Sequence, residues 1–242
     1  MNGINEKIRL IIERAGFSVS EIEDISEKNI RDMEKRAEKK TLSEMIDRVF
    51  GIEFHGLEKL SDLNMPESIQ DQIKEWFLNP EKIFLLLRGG TGTAKTAIAK
   101  IFFQHYIFTR HEKYGYGSAI SGAKYIRALE FFDCLKRENS EPGGAGDFIR
   151  FHTRWFNFLI IDEIAASYGT EFERIYFNQL IDDFYTGKSG RKKMILISNA
   201  PDHAGLEKYL GKPALSRIDH RGVIVNMVGQ DWRKKNKQEE WR

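Results

Sequence analysis

Cysteine is almost missing from this chain: Cys134 is the only one in 242 residues. A single thiol excludes an internal disulfide and every zinc site built on several cysteines. The six histidines do not replace it, because no two of them stand at ligand spacing. Long apolar runs are missing as well. None reaches the roughly 18 residues that a membrane span needs, which excludes a membrane partner of the spanning kind. The first residues, MNGINEKIRLIIERAG, lack the basic flank, apolar stretch and cleavage site of a secretory signal, so a cytoplasmic location is expected. Nor is there an excess of one charge: the formal net charge is +2, and any nucleic-acid contact must rest on local patches. What remains, 41% hydrophobic and 31% charged residues, reads as a soluble globular protein. The length suits one α/β domain and a small accessory unit.

The pattern along the chain divides near residue 55. Ile4, Ile8, Ile11 and Ala15 fall on one helical face, with Gly16 as a stop. Ser18 with Glu21, and Thr41 with Glu44, match capping-box spacing, and Leu42, Met45, Ile46, Val49 and Phe50 make an apolar stripe before Gly51. Residues 1–55 are therefore expected to be a small helical domain whose stripes pack on each other or on a partner. Residues 56–242 would form the second domain. Pro66 suits the first turn of a helix carrying Ile69, Ile73, Trp76 and Phe77, which Asn79-Pro80 ends. Short dense apolar runs then alternate with helical stretches, the signature of a parallel sheet covered on both faces. The runs are Ile83–Leu87, Phe158–Ile161, Met194–Ile197 and Val223–Val225. A weaker strand is predicted at Ser118–Ile120, before a helix over Ala123–Lys136. Glu138–Gly146 reads as a surface loop.

Directly after the first run comes Arg88-Gly89-Gly90-Thr91-Gly92-Thr93-Ala94-Lys95-Thr96, followed by a helical pattern through Ala97, Ile98, Ile101, Phe102 and Tyr106. Strand, glycine loop and helix are the setting of a Walker A loop, in which curled backbone N–H groups and a helix N-terminus face phosphate oxygens. Residues Gly89 to Ala97 would cradle the phosphates of ATP, Lys95 would neutralise the β- and γ-phosphates, and Thr96 would supply a hydroxyl to Mg²⁺. One position departs from the pattern. Ala94 stands where the last glycine belongs, and a left-handed backbone there would cost about 1–2 kcal/mol.

Phe158–Ile161 runs into Asp162-Glu163, an apolar strand ending in two carboxylates. This is the Walker B arrangement: Asp162 would hold Mg²⁺, mostly through its water shell, and Glu163 would orient and deprotonate the attacking water. The adjacent acids fit the P-loop subgroup that uses a catalytic glutamate, to which AAA+ ATPases belong. Met194–Ile197 ends in Ser198-Asn199, and Asn199 is the candidate sensor of the γ-phosphate. Its alternative is simply to start the turn Asn199-Ala200-Pro201-Asp202.

From the P-loop to Arg233 the chain resembles bacterial and phage replicative-helicase loaders of the DnaC type and the related IstB-like transposition ATPases. The residues that carry the resemblance are the modified P-loop, FLIIDEIAA, LISNAP, LEKYLGKPALSRI (Leu206–Ile218), Val223-Ile224-Val225 and Gly229-Gln230-Asp231-Trp232-Arg233. The resemblance implies an α/β AAA+ core with a parallel sheet sandwiched by helices and no large C-terminal lid. It further implies self-assembly into an oligomer in which Arg217 reaches a neighbour's ATP as an arginine finger, with Arg221 as the nearby competitor. The N-terminal unit would grip a replicative helicase. Single-stranded DNA would meet the segment after Walker B, where Tyr168, Thr170, Phe172 and Arg174 offer aromatics beside a cation; Phe172, Ile175 and Tyr176 equally suit the buried stripe of a helix. The basic runs Arg191-Lys192-Lys193 and Arg233-Lys234-Lys235 read as solvated. The function implied is an ATP-hydrolysing helicase loader in DNA replication. Two rivals stand beside it: a transposition helper, and an adaptor that holds nucleotide with little hydrolysis, which Ala94 favours and Glu163 opposes.

Overall fold

The computed structural model describes residues 27–51, 57–63, 65–140, 144–164, 170–187 and 192–227. The stripe from Ile4 to Ala15, the Ser18 cap and the residues beyond Met227 lie outside these. In chain order the elements are α1 (Glu27–Phe50), α2 (Glu67–Leu78), β1 (Phe84–Gly89), α3 (Lys95–Tyr114), α4 (Tyr116–Ile120), β2 (Ala123–Arg127), α5 (Ala128–Glu138), α6 (Gly144–Trp155), β3 (Phe158–Ile164), α7 (Glu171–Thr186), β4 (Lys193–Ser198), α8 (His203–Leu210), α9 (Lys212–Arg221) and β5 (Gly222–Met227).

The strands form one five-stranded sheet in the order β2-β3-β4-β1-β5, and every pair is parallel. Successive side chains of a strand point to opposite faces, so each strand feeds two cores. Leu85, Leu87, Ile160, Ile195, Ile197 and Val225 pack with α1, α2 and α3. Phe84, Leu86, Leu159, Ile161, Met194 and Leu196 pack under α5 to α9. The result is a three-layer α/β sandwich whose continuous apolar strands are buried on both sides, as their composition predicts.

Three sequence expectations need correction. Thr41 does not start a helix. Residues 27–50 contain neither glycine nor proline, so α1 runs through, and the Thr41 hydroxyl bonds back to the Ala37 carbonyl at 3.1 Å. The strand expected at Ser118–Ile120 is the short helix α4, and the strand itself is Ala123–Arg127. Gly122, at φ +87°, makes the turn between them. β2 lies at the sheet edge with only Ala123 and Ile126 buried, so its sequence AKYIR lacks the apolar density of the inner strands. Finally, the end of the stretch expected as a loop is helical: α6 begins at Gly144, has Asp147 in its first turn, and buries Ala145, Ile149 and His152.

α1 packs along α3 in antiparallel sense. Glu38 meets His111 at 2.7 Å near one end, Asp47 meets the buried Lys100 at 2.6 Å further on, and Phe50 packs edge-on to Phe103. Leu42 and Ile46 are fully buried in this seam, each worth about 1.5–3 kcal/mol as an upper estimate. At the amino ends of β1 and β4, the Lys193 ammonium donates to the carbonyls of Trp76, Asn79 and Lys82 at 2.7, 2.8 and 2.7 Å. It thereby ties the end of α2 and the turn after it, whose Asn79 carbonyl also accepts from the Lys82 N–H, to the start of β4. Lys192 donates to the Thr153 carbonyl. These two lysines of the expected solvated run therefore staple the fold instead.

His152 lies among the rings of Phe131, Phe148, Phe151 and Phe156, and its Nδ1 is 2.9 Å from the Phe148 carbonyl. Burial pushes its pKa below the ordinary 6.5, against the opposing pull of that carbonyl. An unfolded chain then binds a proton that the folded one refuses, so this group's contribution to stability is lost as pH falls through 6.5. His152→Phe should lose less melting temperature than wild type between neutral and mildly acidic pH, measured by thermal denaturation across that range.

Candidate nucleotide site at the carboxyl ends of the strands

Parallel strands bring all their carboxyl ends to one edge of the sheet, the place where α/β proteins hold ligands. At that edge β1 ends in Gly89, β2 in Arg127 opposite Asp162, and β4 in Ser198 opposite Arg88. The glycine loop leaves β1 and enters α3 at Lys95. Gly89 is required there: an added Cβ would lie 2.2 Å from the Met227 carbonyl at the end of β5. Ala94 has φ 61° and ψ 11°, the left-handed conformation, directly before the helix.

Loop and helix side chains close on one another. Thr93 Oγ1 donates to the Gly90 carbonyl at 2.8 Å, and Lys95 Nζ donates to the carbonyls of Gly89 and Gly90 at 2.8 and 2.5 Å. The ammonium thus sits inside the turn of the loop. Thr96 Oγ1 donates to Asp162 Oδ2 at 3.0 Å, joining the first turn of α3 to the end of β3. A hydroxyl and a carboxylate in contact are the hard oxygen donors that suit Mg²⁺ and not a softer metal. They fit the ion that a phosphate loop implies.

Glu163 is exposed, unlike its neighbours, and this is a backbone effect. The β3–β4 register shifts between Ile161 and Ile164, so a bulge holds Asp162 and Glu163. Glu163 takes φ 60°, and its N–H donates to Asp162 Oδ1 at 2.7 Å. The buried Ser198 braces the bulge from β4 by donating to the Ile164 carbonyl at 2.9 Å, while it accepts from the Ala200 N–H at 3.1 Å. Asn199 follows it, exposed, at the same strand edge as the P-loop and the two acids.

Two residues of this edge escaped the sequence reading because β2 was placed too early. The Tyr125 hydroxyl donates to Asp162 Oδ2 at 3.0 Å. Burial and the Asp162 charge hold that phenol well above its ordinary pKa. Arg127 lies next to it; the hydrogen bond to Tyr125 and the charge of Glu163 both favour its charged form. The signal that would have found them is Gly122, the turn that starts the strand.

The remaining expected residues lie elsewhere. Arg217, on α9, pairs with Asp182 of α7 at 2.7 Å. Arg221 is at the opposite edge of the sheet, where β5 begins, and donates to the Tyr185 and Glu81 carbonyls at 3.1 Å each. Of the segment after Walker B, Tyr168 is outside the described residues. Thr170 caps α7 in a reciprocal capping box with Glu173. Phe172 and Tyr176 pack against the core, but Ile175 is exposed, so the stripe is only partly buried. Arg174 shares a shallow hollow with Lys208, Lys212 and Glu207, whose carboxylate lies 3.8 Å from the Lys212 ammonium.

Neither a protein-family model nor a curated protein sequence matches the chain. Solved structures do. The replication initiator DnaA bound to AMPPCP and single-stranded DNA is similar at TM-score 0.56 and 17% identity, over 78% of this chain and 56% of that one. The DnaC helicase loader is similar at TM-score 0.53 and 19% identity, over 71% of this chain and 97% of that one. DnaI is similar at TM-score 0.51 and 15% identity, over 70% and 90%. The chain spans little more than half of the initiator, 56% of its length. The likeness is one of fold: the parallel sheet between two helical layers is shared with DnaA, the DnaC helicase loader and DnaI.

Left-handed Ala94 predicts a gain on substitution. Ala94→Gly should stabilise the protein by about 1 kcal/mol, raising the melting temperature by about 2–4 °C, read by thermal denaturation without nucleotide.

Proposed function

We propose that the chain is a Mg²⁺-dependent ATPase that loads a replicative helicase on DNA. The observation that carries this is the meeting of Lys95, Thr96, Asp162 and Glu163 at one sheet edge, in a fold that covers nearly all of the DnaC loader. Gly89 to Ala97 hold the triphosphate, with Lys95 turning from the loop carbonyls to the β- and γ-phosphates. Thr96 and Asp162 hold Mg²⁺, which when bound offsets phosphate charge. Glu163, carried outward by the bulge, accepts the proton of the water that attacks the γ-phosphorus as the bond to the leaving β-phosphate oxygen breaks. Asn199 fixes that water and the γ-phosphate from β4. Arg174, Lys208 and Lys212 offer the phosphate contacts for single-stranded DNA. The N-terminal helical region is the helicase-binding part, and the protein works in the cytoplasm; among the described residues no helix is long and apolar enough to cross a membrane.

One observation favours a second reading, an adaptor that holds nucleotide and barely turns it over. Ala94 is strained where a glycine would relax, at a cost of the same order as a tenfold change in affinity. Melting curves and turnover separate the readings. ATP with Mg²⁺ should raise the melting temperature, by about 2.7 kcal/mol of stability at a hundredfold excess over Kd, and Lys95→Ala should abolish the rise. Glu163→Gln should keep the rise and lose turnover. Equal turnover in Glu163→Gln and wild type favours the adaptor; no rise in wild type removes both readings.

Arg217 extends the proposal to assembly. Its partner Asp182 belongs to α7, and the half-exposed pair on the outer helices supports a role for Arg217 in a neighbour's site, where such a finger is worth about 10³–10⁵ in rate. Arg217→Ala should bind ATP normally and lose the turnover that rises with protein concentration. Mixing it with Glu163→Gln should restore part of that turnover, since one chain brings an intact ATP site and the other an intact finger. No recovery in proven mixed assemblies rejects the assignment.

A further inference from the structure

The antiparallel seam between α1 and α3 delivers the end of α1 to the ATP edge. Phe50, the last residue of α1, is buried and packs its ring 4.3 Å from that of Tyr125 and 5.4 Å from that of Phe103. Tyr125 is anchored at both ends, its ring by Phe50 and its hydroxyl by Asp162 at 3.0 Å. Asp162 is only 4% exposed, so protein donors decide how its carboxylate turns: the Thr96 and Tyr125 hydroxyls on Oδ2, and the Glu163 N–H on Oδ1. Thr96 is itself to be turned toward the ion, which leaves Tyr125 as the donor whose place is set from outside the loop.

We infer that Tyr125 is a positioning residue for the ATP site and that Phe50 makes it answer to α1. A shift of the end of α1 along α3 moves the ring that backs Tyr125, and a hydrogen bond weakens steeply once its distance or angle is lost. The Asp162 carboxylate then turns away from the ion it shares with Thr96. By linkage the effect runs both ways: binding of ATP with Mg²⁺, by fixing Asp162, holds Tyr125 and so the end of α1. The outward face of α1, which carries Arg31, Lys35, Arg36, Lys40, Glu44 and Arg48, is thereby linked to the metal-dependent part of nucleotide affinity. This inference rests on the ATP-site reading given above.

The test uses the full chain and a fluorescent ATP analogue, with Kd measured once in Mg²⁺ and once in EDTA. Wild type should bind more tightly in Mg²⁺. Tyr125→Phe keeps the ring and removes the hydroxyl, both the donor to Asp162 and the acceptor that Arg127 uses; it should leave the EDTA Kd in place while losing about tenfold of the Mg²⁺-dependent gain, the scale of one hydrogen bond to a carboxylate. Phe50→Leu, with Phe50→Met in its place if the first does not fold, should lose a smaller part of the same gain. The double variant should bind no worse than Tyr125→Phe alone, because Phe50 acts through the hydroxyl already removed. An unchanged Mg²⁺ gain in Tyr125→Phe overturns the inference, and so do losses that multiply in the double variant. A wild type that binds nucleotide equally with Mg²⁺ and EDTA instead overturns the metal-site reading itself, and the inference with it.

Discussion

One carboxylate oxygen holds the working edge of this protein together. Asp162 Oδ2 accepts from Thr96 on the first turn of α3 and from Tyr125 on β2, at 3.0 Å in each case. A buried carboxylate is costly unless its lone pairs are filled. Here filling them ties three successive parts of the fold to one point: the phosphate loop, the edge strand and the strand that carries the acids. The same atom is the one a magnesium ion would need, so the contact that orders this edge is also the contact a ligand would rearrange. Structure and chemistry meet in a single hydrogen-bonding group.

The backbone bears a cost at the same place. Among the described residues, the two non-glycine positions with positive φ are Ala94 and Glu163, at 61° and 60°. Each costs on the order of 1–2 kcal/mol, and each bends the chain where the site needs it, one to start α3 behind the loop and one to lift Glu163 out of β3. Such conformations persist only where the surroundings over-determine them. Ser198 does this for the bulge with its two hydrogen bonds, and the close approach of Met227 to Gly89 does it for the start of the loop.

The three inner strands, the edge strand β5 and the site motifs were legible because their signals are local. Four dense apolar runs, a glycine loop before a helix and two acids after a strand need no knowledge of the fold to be read. β2 was not legible: unlike β5, the other edge strand, it has no apolar run, and AKYIR buries only Ala123 and Ile126 and carries two charges in five positions. Missing it hid Tyr125 and Arg127, whose roles exist only because β2 lies against β3. The same limit explains Thr41 and Lys193. A capping-box pair in sequence is not a cap when the helix continues through it, and a basic run is not solvated when a helix end presents carbonyls to it. Those outcomes are set by long-range packing, for which the sequence has no short-range mark.

Arg217 and Arg221 show how packing separates two cations that stand close together in the sequence. They lie one turn apart on α9, both cationic, both near the end of a motif. Arg221 is committed: its guanidinium donates to two backbone carbonyls, pairs with Glu81, and lies over the Tyr185 ring. These contacts sit where β5 enters the sheet, next to the Ile83 N–H bond to the Arg221 carbonyl at 2.7 Å. Withdrawing it would open the base of the fold. Arg217 has a half-exposed ion pair with Asp182, and contacts of that kind hold by about 0–1 kcal/mol. A side chain that must leave its own subunit to serve another has to be held weakly at home and aimed by what holds it. Of the two arginines Arg217 is the weakly held one, since its pair with Asp182 joins outer helices and does not anchor it to the sheet.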